Sequence, residues 1–475
     1  MEACNPGNRA ANHGLIPGDD GYILIDTGYE NGSRRSEKSR HSAGGDPSPE
    51  GGGPDKPASR DQSSIRKTGE EREMTDTSFS GTESRKKAVR FITEQIRHVC
   101  TQFPPRTPGS EGEHAAAEYM AGILKRDCGC RVKTERFDFH PGGFWGYLPF
   151  CVVLDFLCVL TFFMTPWLSL FFGTVSMALM IAEFILYREA IDPLYKKKQG
   201  INVTAIRSPR GEVRQRILFT GHMDAAWEAT LSYHISGTFY IVHALVATAG
   251  VLLYILWSVL ALTGAGAWID TAARVSLVFL LIWPGVLFYC NSRRTVDGAN
   301  DNLTGCFLSI ALMKALQECG VQPDHTEVGV ILTGAEEAGL RGAKAWVKAH
   351  KEEYQDVPTR IFTVDTIHHP QFLMVNQRDM NGLVKNDPQL ADLFVNAAKE
   401  LNIPCGRGSI PMMGGSTDSA VFRQGGFRSV SIAGMDHHLE DWYHTRRDTC
   451  DRLDPEGIEN CFAVMARLLE KAENP

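Results

Sequence analysis

The chain has 475 residues, 43% hydrophobic and 22% charged, with a formal net charge of −7. This composition allows two or three domains and excludes a collagen-like, coiled-coil or wholly disordered chain. The mildly acidic balance, with both signs mixed along the chain, argues against nucleic acid as a partner, because dedicated binders carry a basic stripe.

Residues 1–84 read as a disordered tail. From 31 to 73 the only large apolar residue is Ile65, too little to offset the entropy of ordering. No basic start precedes an apolar core, so the tail is not a signal peptide, and Met74 is an alternative start. The folded part is expected over 85–475. Val89, Ile92, Ile96 and Val99 recur at helical spacing, a proline-rich break follows at 104–110, and a second amphipathic helix runs from about 112 to 126. Residues 131–139 alternate like a strand.

Two pairs of apolar runs come next. Residues 144–163 and 168–187 are joined by Met164-Thr-Pro-Trp, and 239–262 and 275–290 by a Gly/Ala turn. A bilayer core needs about 20 apolar residues in a helix. The first three runs meet this; the fourth is short, contains Pro284, and is expected to borrow residues upstream. Buried soluble helices are the alternative, but paired runs with tight turns favour two inserted transmembrane hairpins, at about 144–187 and 239–290, with membrane lipid as partner. Their flanks carry Arg131, Lys133, Arg136, Arg188, Lys196, Lys197, Lys198, Arg293 and Arg294, while the tips carry only Arg274. The positive-inside rule then sets the soluble parts in the cytoplasm of a multi-pass membrane protein. Asp155, Glu183 and His243 fall inside the runs, either as functional groups or as interface and cross-hairpin pairs.

Beyond the hairpins, strands are expected at 201–206, 216–221, 328–334, 360–365 and 429–434. Helices are expected at 303–316, 340–350, 388–401 and 455–474. This alternation predicts an α/β sandwich with a mainly parallel sheet. The twelve cysteines are scattered without a CxxC pair. They are expected to be free thiols in a reducing compartment.

The polar residues at strand ends form a series. His222 and Asp224 follow one strand, Asp301 lies in Gly298–Gly305, Glu336 and Glu337 follow another strand, Asp365 ends a third, and His444 follows the last. In open α/β sheets function collects at the carboxyl ends of strands. Alone, each residue has a plainer reading: a structural histidine, a helix N-terminus or an N-cap. Together, two histidines and three carboxylates are what a pair of divalent metals requires, with one carboxylate shared.

The motifs GHMD (221–224), GANDNLTG (298–305), GAEEAGL (334–340), TVD (363–365) and YHTRRDT (443–449) resemble those of the co-catalytic two-zinc exopeptidases. That family includes bacterial leucyl-type aminopeptidases, aminopeptidase Y and glutamate carboxypeptidase. Arg106-Thr-Pro-Gly-Ser-Glu-Gly is similar to the family's start. The resemblance covers 85–136, 199–232 and 293–472. It implies a three-layer zinc-exopeptidase sandwich with a mixed, mainly parallel central sheet, interrupted here by four transmembrane helices. It further implies two divalent metal ions, zinc foremost, with His222 and Asp365 on one, Glu337 and His444 on the other, and Asp301 bridging. Asp224 is then expected to orient His222, Glu336 to be the general base, and residues 414–419 to line the substrate pocket or simply to cap a helix. The implied activity is removal of N-terminal residues from peptide substrates. Alternatives are a carboxypeptidase or glutaminyl-cyclase-like reaction on the same fold, or a catalytically inactive scaffold. The chain departs from the family pattern in the 77-residue separation of Asp224 and Asp301 (301 − 224), which the second hairpin fills.

Overall fold

An eight-stranded mixed sheet runs through the computed structural model, which describes residues 78–436 and 440–473. Its strands are β1 (Arg131–Phe139), β2 (Lys198–Arg207), β3 (Gln215–His222), β4 (Thr326–Thr333), β5 (Thr359–Ile367), β6 (Leu373–Asn376), β7 (Gly406–Gly408) and β8 (Arg428–Gly434), in the order β1-β2-β4-β3-β5-β8-β6-β7. The central strands β4, β3, β5 and β8 are parallel; β2 is antiparallel to both β1 and β4, and β6 is antiparallel to β8 but parallel to β7. The parallel strands are buried almost throughout and read as apolar runs, as strands covered on both faces must. The short strands β6 and β7 have no counterpart in the sequence reading, because they are too brief to show a period.

Helices cover both faces. On one lie α1 (Thr82–Gln102), α2 (Glu111–Arg126), α3 (Thr304–Glu318), α5 (Pro388–Glu400) and α7 (Pro455–Glu473), with Ile92, Met120, Phe307, Phe394 and Phe462 in one core. On the other lie α4 (Arg341–His350) and α6 (Asp418–Gln424), packed through Trp346 and Phe422. The expected tail at 1–84 lies mostly outside the described residues. Where it is described it is ordered: Phe79 is buried, Ser84 Oγ donates to the Ser78 carbonyl, and α1 starts at Thr82. No disulfide joins two of the described cysteines.

Among the described residues, four helices are long and apolar enough to cross a membrane: Gly143–Phe162, Pro166–Ile185, Gly237–Leu262 and Trp268–Phe288. The fourth reaches that length with upstream residues, as expected. Each pair is closed at its base by an antiparallel ladder. Phe139 pairs with Lys198 below the first hairpin, and Trp227 with Thr295 and Glu228 with Asn291 below the second. The four helices contact one another through Ser258 Oγ to Ser169 Oγ at 2.9 Å, Tyr254 Oη to the Ala273 carbonyl at 2.8 Å, and Trp283 Nε1 to the Ala247 carbonyl at 3.0 Å. Of the ionisable residues singled out inside them, Glu183 and His243 have hydrogen-bond partners, whereas Asp155 Oδ1 is buried without one. Glu183 accepts the Ile191 amide at 3.0 Å, and His243 Nδ1 meets Tyr289 Oη at 2.7 Å.

Candidate metal centre

His222 is the last residue of β3 and pairs with Thr333, the last of β4. On its other side β3 pairs Thr220 with Thr363, so His222 and Asp365 follow at the same height. Asp365 lies two residues inside β5, which continues to Ile367, rather than at the strand end expected from sequence. Glu336 and Glu337 sit in the loop after β4, not at its last residue. Asp301 lies in a kinked turn before α3, entered through Gly298 at φ +61, and its peptide bond to Asn302 is cis. Gly305 lets α3 close on the sheet, since a Cβ there would lie 2.2 Å from the Val364 carbonyl. The turn is thereby pressed against the carboxyl edge, where the strand-end residues are.

All the candidate residues meet there. His222 Nε2 is 3.1 Å from Asp301 Oδ1, 3.8 Å from Asp365 Oδ1 and 4.0 Å from Glu336 Oε2. His444 Nε2 is 3.0 Å from Asp301 Oδ2 and 3.3 Å from Glu337 Oε1. Three overlapping groups hold their donor atoms within 4.8 Å: His222/Asp301/Asp365, His222/Glu336/Glu337 and Asp301/Glu337/His444. Asp301 Oδ2 and Glu337 Oε1 are buried without a hydrogen bond despite the imidazole beside them. Donors converging on a common point without hydrogen-bond geometry suit a cation, whose tetrahedral ligands stand about 3.3 Å apart.

The charge balance points the same way. Asp224, Asp301, Glu336, Glu337, Asp365 and Asp418 are all buried around two histidines. Burial raises Glu336 well above the ordinary carboxylate range, against His222, with Glu337, Asp418 and Asp365 adding to it. Burial likewise lifts Asp365 to about 7. Burial opposes protonation of His444, but Glu337 and Asp301 outweigh it and lift the imidazole to about 10. Burial would raise Asp301 too, yet the two imidazoles reverse this and hold it below its usual range. So much buried negative charge calls for cations.

Asp224 does more than face His222. Its carboxylate accepts the amides of Glu336 at 3.1 Å and Glu337 at 3.0 Å, and stands 3.5 Å from His222 Nδ1. Further buried groups escaped the sequence reading. Asp448 accepts from the Asn300 amide and side chain, both at 2.8 Å, and from the Asp301 amide at 3.1 Å. Glu113 accepts the Ala335 amide at 2.7 Å and the Gly109 amide at 2.8 Å; its Ser110-x-x-Glu113 spacing was the available signal. Arg106 donates to the carbonyls of Met223 and Gly298, tying the first motif to the second. Residues 414–419 form a cap: Thr417 accepts the Ser419 amide, and Asp379 holds Ser416 and Thr417. Asp418 itself turns toward the cluster, bonded to Thr333 Oγ1, with Oδ1 unpartnered.

Comparison with known proteins agrees with this geometry. Residues 286–469 match peptidase family M28. That stretch holds Asp301, Glu336, Glu337, Asp365 and His444; His222 and Asp224 lie before it and are brought in by β3. A zinc aminopeptidase from Bacillus subtilis, at 14% identity, aligns over 81% of this chain and 95% of its own with a TM-score of 0.50. This likeness is one of fold. A glutaminyl cyclase from Bacteroides thetaiotaomicron aligns over 81% of this chain and 96% of its own, with 13% identity and a TM-score of 0.48. No curated protein matches the chain.

Proposed function

We propose that this protein is a membrane-anchored, two-zinc exopeptidase that removes N-terminal residues from peptides on the cytoplasmic side of the bilayer. One observation carries the reading: the Asp301 carboxylate stands between two imidazoles, each with a second acid of its own. His222 and Asp365 would hold one ion, Glu337 and His444 the other, and Asp301 would serve both. When bound, two such ions supply an acidic water and polarise the scissile carbonyl.

The protein's own groups do the rest. Of the acids within 4.0 Å of either imidazole's Nε2, Glu336 is the one outside both pairs and the bridge. Its carboxylate takes the proton from the attacking water and delivers it to the departing amine nitrogen. Asp224, gripping the amides of Glu336 and Glu337, fixes both side chains and faces His222 Nδ1. Asp448 sets the backbone of Asp301 from the other side.

Membrane anchoring is supported by the exposed apolar side chains of the four helices, among them Leu160, Trp167, Leu252 and Leu281. The basic flanks support the cytoplasmic side. The test is release of amino acids from short peptides by the zinc-loaded full-length protein in detergent. Free N-terminal peptides should be shortened from that end and N-acetylated ones spared. Shortening from the carboxyl end, or cyclisation of N-terminal glutamine, would replace this reading with another reaction of the fold.

A further inference from the structure

A groove of about 550 Å³ runs between α4 and α6, and none of the cluster residues lines it. Val347 and Val421 make part of it apolar, and Lys344, Lys348 and Lys351 make the rest basic. The lysines recur at i, i+4 and i+7, so they share one helix face. Glu352 is the only acid on the lining. Lys348 and Lys351 are exposed and form no ion pair with it or with any other acid among the described residues.

The groove begins beside the first hairpin. Lys344 Nζ donates to the Tyr187 carbonyl at 2.6 Å. Arg341, at the start of α4, lies 2.9 Å from Asp192 and 2.6 Å from Glu189. Tyr187 lies two residues beyond the apolar helix Pro166–Ile185, at most about 7 Å of chain. The headgroup layer of a bilayer is about 5–8 Å deep on each side. With that helix in the membrane, the Lys344 ammonium stands at headgroup depth. Burial, with Arg341 beside it, pushes Lys344 down to about 8. Glu189, 3.3 Å away, is shared with Arg341, so an added anion would hold the ammonium charged.

We propose that this groove binds the phosphoryl headgroup of an anionic membrane lipid, with Lys344, Lys348 and Lys351 supplying the cations. The proposal rests on the membrane-anchored reading above. A free phosphate would use the lysines but gain nothing from Val347 and Val421, whereas a lipid brings an apolar stem to them. The loop of Glu336 and Glu337 runs directly into α4. A lipid held on α4 therefore fixes the height of the candidate metal centre above the bilayer.

The test uses the full-length protein in a non-ionic detergent, titrated with short-chain phosphatidylglycerol or phosphatidylcholine, with bound lipid counted by native mass spectrometry. Phosphatidylglycerol should bind about tenfold or more tighter, since each lysine near an anionic surface is worth about fivefold. Lys348→Gln with Lys351→Gln should bring it to the level of phosphatidylcholine. Arg293→Gln with Arg294→Gln removes the same charge at the base of the second hairpin and should leave the preference intact. Equal binding of the two lipids, or as great a loss from the arginine pair, overturns the groove. Displacement of the lipid by inorganic phosphate at equal concentration overturns it too, in favour of a soluble anion. Alkaline carbonate extraction of cell membranes tests the anchor separately. Release of the protein overturns the anchor and the lipid site with it, whereas a retained protein without lipid preference overturns the groove alone.

Discussion

The carboxylate of Asp448 accepts the backbone amide of Asp301 at 3.1 Å, so the acid shared by both imidazoles is held through its main chain by a residue that touches neither histidine. The same carboxylate holds the amide and side chain of Asn300. Asp448→Ala leaves three buried donors without a partner, at about 1–3 kcal/mol each before relaxation. We expect a lower unfolding temperature and metal affinity weaker by about 10–100-fold. Calorimetric melting and metal titration check this; unchanged metal affinity would mean the turn before α3 needs no clamp.

Glu336→Gln should keep the fold and the metal while turnover falls by about 10²–10⁴-fold, the usual worth of general-base transfer. The glutamine keeps the side chain's size and the hydrogen bond that its backbone amide donates to Asp224, so a folding defect is not expected. Steady-state kinetics beside metal content gives the answer. Full activity would move the base to another residue.

The second hairpin is tied to the His444 loop. Arg446 Nε lies 2.5 Å from Glu228 Oε2, its guanidinium stacks 3.9 Å from the Tyr233 ring, and the Ala229 amide donates to the His444 carbonyl at 2.8 Å. Glu228 is buried while Arg446 is partly exposed, so Arg446→Ala takes the hydrogen-bonded cation away from a buried carboxylate. We expect a marked loss of thermal stability with a rise in the zinc needed for half-maximal activity. Stability within about 0.5 kcal/mol of wild type would show that Glu228 is solvated after the change.

Each hairpin leaves and returns through an antiparallel ladder at its base. In the topology proposed above, its tip would lie across the bilayer from the cluster. A cysteine introduced at Gly264 should react with an impermeant thiol reagent in intact cells, while Cys450, a few residues past His444, should not. The reverse pattern would turn the catalytic part outward and leave the metal chemistry as argued.

Much of this was legible because the chemistry sits in contiguous motifs. His222, Asp301, Glu336, Glu337, Asp365 and His444 each border a strand or helix whose hydrophobic pattern is plain, so a parallel sheet predicts their meeting. The supporting layer was less legible. Asp448 and Arg106 act through backbone groups distant in sequence, and nothing in local periodicity marks which amide a carboxylate will hold. Glu113 had a capping-box spacing, but its bond to Ala335 depends on how α2 lies against the loop after β4. The strands β6 and β7 are stabilised by neighbours rather than by pattern.

The central claim is that the acids and imidazoles around Asp301 hold two ions. Elemental mass spectrometry of the full-length protein, purified in detergent without chelator and dialysed against trace zinc, tests it most directly. The account predicts about two zinc ions per chain, falling to about one in His444→Ala. One ion or none in the wild-type protein would contradict it.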